Sequence, residues 1–204
     1  MKKIRFSMFS FLFAVGVIFV CSSTQVVYAK CTREVVKGQV VKNEVISAGE
    51  TQIVWNGGRT ENVTVNAGGR QMVYVGGKSI GTTINASGFQ YVGKGGSTEG
   101  TIVKEKGLQL VRGVSFDTKV SGGVQVVTGI ILDSKIEKGG MQLIDWTASN
   151  HGTTVIDDGI QHIDLEASGT DKKIKLNKNG IQNIYNASPS TSEHKMRDTI
   201  EIGR

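Results

Sequence analysis

Glutamine returns through this chain at a nearly constant interval. Gln52, Gln71, Gln90, Gln109, Gln125, Gln142, Gln161 and Gln182 are separated by 19, 19, 19, 16, 17, 19 and 21 residues. Two residues after each stands a β-branched aliphatic: Val54, Val73, Val92, Val111, Val127, Ile144, Ile163 and Ile184. Two residues before each stands a glycine, from Gly69 through Gly180, except in the first copy, which has Glu50. Six before comes an aliphatic (Ile46, Val65, Ile84, Val103, Ile136, Val155, Leu176), with Val120 one position late in the short copy. A unit of this length cannot bury an apolar side alone, but stacked copies can.

Each unit reads as two short extended pieces separated by turns. Alternation about Gln-x-Val puts glutamine and valine on one face. The pairs Gly57-Gly58, Gly76-Gly77 and Gly95-Gly96 provide corners, and a second piece follows, as in Val63-Thr64-Val65 or Thr82-Thr83-Ile84. The expected fold is all-β: a single-stranded parallel β-helix of about eight rungs, right-handed by the usual crossover rule and about 35–40 Å long at ~4.8 Å per rung. Its core is expected to be ladders of like residues: Val/Ile after glutamine, an aliphatic six before it, and threonine eight before it at Thr82, Thr101 and Thr153. Glutamine on the valine face can stack amide on amide; the alternative places it at a corner, facing solvent.

The chain divides into four segments. Residues 1–29 have a basic start (Lys2, Lys3, Arg5), an apolar run from Phe6 to Val20 and small residues before a cut after Ala29, the layout of a secretory signal peptide. The run is too short for a membrane span, and Val20 disfavours a lipoprotein reading of Cys21. Residues 30–44 are a degenerate unit that caps the first edge, 45–185 are the repeats, and 186–204 are a polar linker or tail holding the single Pro189. Three of the 24 Lys+Arg and none of the 18 Asp+Glu lie in the signal, so the exported part carries +3. That modest charge disfavours nucleic acid as a partner. A single cysteine after Ala29, Cys31, excludes a disulfide framework; it is an inert thiol or an intermolecular cross-link.

Chemical sites are sparse. Asp157, Asp158, His162 and Asp164 form an acidic cluster, conceivable as acid/base residues on polysaccharide. The turn position of the two aspartates and the outward direction of His162 and Asp164 favour a structural role. His151, His162 and His194 show no metal-ligand spacing, so no cofactor, metal site or enzymatic activity is expected. Aromatic residues are the better lead: Trp55, Tyr74 and Tyr185 stand three after a glutamine, and Phe89 and Tyr91 flank Gln90. Trp55, Tyr74, Phe89 and Tyr91 are the candidate partner-binding residues, the alternative being that they cover neighbouring loops.

Written as aliphatic-x-x-x-Gly-x-Gln-x-Val followed by Gly-Gly, clearest in VNAGGRQMVYVGG and INASGFQYVGKGG, the unit resembles the 19-residue repeats of bacterial autotransporter passengers of the AIDA-like adhesin type. The resemblance implies a Gram-negative β-helix, secreted or displayed at the outer surface, that adheres to a host-cell surface protein or glycan or associates with itself. No translocator barrel appears before Arg204, which leaves open a truncated product, a fragment, or a small secreted ligand of a host receptor.

Overall fold

The computed structural model describes residues 18–20, 31–145, 147–164, 172–177, 179–185 and 199–202. They form a parallel β-solenoid of about seven turns without a helix. Strands bearing the glutamines line up in a ten-stranded sheet, and the remaining strands in a thirteen-stranded one. Every glutamine is paired in register with the next, from Gln52↔Gln71 to Gln161↔Gln182. The unequal spacings are therefore absorbed outside the glutamine strands, at the corners and in the strands between them.

Each early rung contains three strands rather than two, for example Arg70–Val73, Lys78–Ile80 and Thr83–Ile84. The additional strand arises because its middle residue also faces inward: Thr60, Ser79, Thr98 and Ser115 are fully buried. From Val114 onward the second and third strands merge into Val114–Ser121, Ile130–Glu137 and Ser149–Asp157. The first two of these bend at Asp117 and Asp133, whose φ of 47° and 48° is left-handed.

The interior has a polar and an apolar column system. Each glutamine Nε2 donates to the Oε1 of the preceding glutamine over 2.6–3.0 Å, through all seven steps from Gln182 back to Gln52. Hydroxyls flank the amides: Gln71 Nε2 also donates to Thr60 Oγ1, and Thr82 Oγ1 and Ser79 Oγ donate to Gln71 Oε1. The donors point toward the N-terminal end, where Gln52 hydrogen-bonds Glu44 and Glu44 pairs with Arg33. Arg33 occupies the glutamine slot of the first rung, in register with Gln52. An acceptor with negative charge there suits the positive end of a row of aligned dipoles.

Beside the amides run Val54, Val73, Val92, Val111, Val127, Ile144 and Ile163, all at most 3% exposed. The second aliphatic column comprises Ile46, Val65, Ile84, Val103, Val120, Ile136 and Ile156. Here the sequence expectation needs correcting: Ile156, not Val155, pairs with Ile136 and is buried. The extra residue in Ser149–Asp157 shifts the inward set by one, so the buried threonine of that rung is Thr154; the Thr153 side chain lies outside the described residues. The side chain of Ile184 also lies outside them, although its backbone pairs with Ile163.

The conserved spacing of glycine has a steric cause. A Cβ on Gly88 would meet the Val65 carbonyl oxygen at 2.4 Å, and one on Gly77 the Val54 oxygen at 2.5 Å. Corners can therefore turn beneath the preceding rung only without a side chain.

Residues 31–44 contribute a first rung: Thr32–Val35 pairs with Thr51–Val54 and Val40–Lys42 with Arg59–Glu61. Ile18–Val20, inside the segment read as a signal peptide, pairs antiparallel with Thr32–Glu34. Thr199–Ile202, inside the segment read as a tail, adds a parallel strand beside Lys173–Leu176. The alternation of Thr-Ile-Glu-Ile explains that strand.

Two predictions follow from this interior. Gln109→Leu, although more apolar, strands the Oε1 of Gln90 and the Nε2 of Gln125; chemical denaturation should show a loss of roughly 2–4 kcal/mol. Glu137 is nearly buried, which raises its pKa, but Lys119 and Lys135 at 2.8 Å outweigh burial and bring it down to about 2. Its stabilisation is thus complete above the ordinary value of 4.5 and fades as pH falls toward 2. Glu137→Gln should cost about 1 kcal/mol at pH 7, its cations being half exposed, and thermal melts of the two proteins should converge near pH 2.

Candidate adhesive surface

Outward positions of the glutamine sheet are the residues one before and one after each glutamine. They are apolar in most copies: Ile53, Met72, Tyr91, Leu110, Val126 and Leu143 in one column, Phe89, Leu108, Val124, Met141 and Ile160 in the other. Most are half-buried by their neighbours along the column, and Leu108 is 39% exposed. Because the valine face is already inside, these strands carry apolar residues on both faces. The sequence reading singled out the aromatics and overlooked this face, whose signal was present at the positions flanking every glutamine.

The aromatic residues stand at one margin of it. Trp55 and Tyr74 directly follow Val54 and Val73, where each strand enters its corner. Their rings stack at 4.9 Å with 21° between planes. Tyr91, outward on the next strand, meets Tyr74 edge-on at 5.9 Å. The row ends at Gly93, where a Cβ would lie 3.1 Å from the Tyr91 ring and 3.3 Å from that of Tyr74. A side chain there would push the rings apart. Phe89 shares the outward face of the same strand as Tyr91, paired with Arg70 and Leu108. Trp55 remains 37% exposed. The structure thus joins Trp55, Tyr74 and Tyr91 into a rigid ladder, with Phe89 across the strand. Such preordered amphipathic rings contact a partner with little further loss of side-chain freedom.

The described members of the acidic cluster sit at a strand end, a corner and the outer face. Asp157 closes the strand Ser149–Asp157 and Asp158 holds the corner at φ 58°. His162 lies half-buried on the outer face, its Nδ1 3.5 Å from Asn183 Nδ2. The side chains of Asp164 and Tyr185, and all of His194, fall outside the described residues. Among the described residues no group of three or more His, Cys, Asp or Glu stands close enough to hold a metal ion. Cys31 is half-buried at the head of the first rung.

No protein-family model and no curated protein matches the chain. Among solved structures it is similar to a crystal structure of a TibC-catalyzed, hyper-glycosylated fragment of TibA, with 25% identity and a TM-score of 0.66. The similarity covers 85% of this chain and 64% of that one, so the chain spans less than two thirds of the fragment. In fold and sequence the chain is similar to that fragment of an AIDA-like autotransporter adhesin passenger.

Proposed function

We propose that the protein is an exported passenger-type β-solenoid acting in adhesion or self-association at the outer surface of a Gram-negative bacterium. The observation that carries this reading is the ring row of Trp55, Tyr74 and Tyr91 at the margin of a long apolar face, on a fold similar to the TibA passenger. A regular rod presents the same weak contact several times, and affinity then accumulates through multivalency. The partner is a host-cell surface protein or glycan, or a second copy of the chain, and no catalytic role is assigned. Export rests on the signal-like residues 1–29.

Cells displaying the protein should clump or adhere to host cells, and the Trp55→Ala/Tyr74→Ala double variant should lose most of that. Because both rings are on the surface, the variant's melting temperature should stay within a few degrees of the parent. Adhesion unchanged in a folded double variant would remove the aromatic row from the function. Recovery of the chain only in culture medium would favour a soluble secreted ligand of a host receptor.

A further inference from the structure

The two shortest repeats have a consequence on the surface. In long rungs the corner after the glutamine strand has four residues, as in Trp55-Asn56-Gly57-Gly58 or Gly93-Lys94-Gly95-Gly96. After Val111 and Val127 it has only two, Arg112-Gly113 and Thr128-Gly129. The row of corner loops is therefore interrupted for two rungs, and a notch of about 750 Å³ opens there. Lys94 and Gly95 form one lip and Thr147 the other. Leu110, Val114 and Ile130 supply apolar walls, and Gly113 and Gly129 complete the lining.

The interruption also strands a donor. Along the corners, Gly38 N–H donates to the Gly57 carbonyl, Gly57 to Gly76, and Gly76 to Gly95. The next rung lacks the residue that would accept from Gly95, whose N–H has no backbone acceptor among the described residues. By the direction of the ladder it is turned toward the notch. Two cations stand beside it: Lys94 and Arg112 are exposed, and neither makes an ion pair among the described residues. Among the described residues no carboxylate lines the space. Asp145, two residues before Thr147 in the chain, is bonded by the N–H and hydroxyl of that threonine.

We propose that this notch binds the anionic group of an acidic glycan. The Gly95 N–H and the Lys94 and Arg112 side chains would hold a carboxylate or sulfate. The apolar walls pack against the C–H faces of the sugar. The volume is that of a small-ligand site. An extended acidic peptide is less well matched, because strand addition needs a row of open backbone groups. The amides of Gly113 and Gly129 are instead already bonded to Val92 and Val111. The site names a partner class for the adhesive role and rests on that role only for its biological setting. Loss of cell adhesion with glycan binding intact would count against the adhesin reading alone.

The test is calorimetric titration of the purified chain with hexasaccharides of hyaluronan (carboxylate) and heparin (sulfate), with cellohexaose as a neutral probe and poly-L-glutamate as an acidic peptide. At least one acidic sugar should bind ten times or more tightly than cellohexaose, and less tightly as salt is raised. Arg112→Gln and Lys94→Gln should each weaken it about tenfold, the effect of losing a charge-assisted contact. Inserting Asn-Gly after Arg112, to restore a four-residue corner, should fill the notch and abolish binding. If the insertion unfolds the rod, the two point variants decide. Equal binding of cellohexaose, tighter binding of poly-L-glutamate, no binding of either acidic sugar, or indifference to both point variants would overturn the assignment.

Discussion

The buried side-chain amide is the group on which the rest of this molecule depends. Burying a primary amide without partners costs several kcal/mol, and here one is buried in every repeat from Gln52 to Gln161. The cost is met by stacking, each amide donating to the one before it. That solution works only if like pairs with like on every rung. Valine columns alone specify register weakly, since an aliphatic side chain contacts several neighbours about equally well. The amides add direction and a sharp distance requirement, and so pin eight strands into one alignment. The Gln–Gln step survives spacings of 16, 17 and 21 residues because variation is kept out of the glutamine strands.

Keeping variation out of the glutamine strands also separates the residues that stabilise the rod from those that differ on its surface. Inward residues repeat because each must satisfy its counterpart one rung away. Corners and outward positions are released from that demand and differ from rung to rung. The ring row of Trp55, Tyr74 and Tyr91 ends where Gly93 replaces an aromatic. Next to that point the shortened corners begin and the notch opens. The least repetitive part of the surface therefore holds both features suited to a partner.

Much of this was legible in the sequence, because glutamine, glycine and the following Val/Ile recur at fixed offsets and each offset has a physical cause. The third strand was harder to read. Thr60, Ser79 and Thr98 resemble surface residues until their burial is seen. Val155 was taken for the core because counting back six residues assumes a constant rung, and the longer strand Ser149–Asp157 breaks that assumption in favour of Ile156. Arg33 in the glutamine slot was invisible to a search for glutamine, yet Thr32-Arg33-Glu34-Val35 keeps the valine two places on. The outer apolar face was hidden by expectation, since a solenoid strand is usually read as apolar on one side only. The notch could have been found from the shortened corners, but its open donor required the hydrogen bonds.

The amide ladder is tested most directly by side-chain hydrogen exchange. In NMR spectra of the labelled protein, the Nε2 protons of Gln71, Gln90, Gln109, Gln125, Gln142 and Gln161 should exchange orders of magnitude more slowly than those of the surface residue Gln39. The protection of all six should collapse together on unfolding. Exchange at the rate of Gln39 for any central member of the row would mean that its amide reaches water, and would contradict a continuous buried ladder.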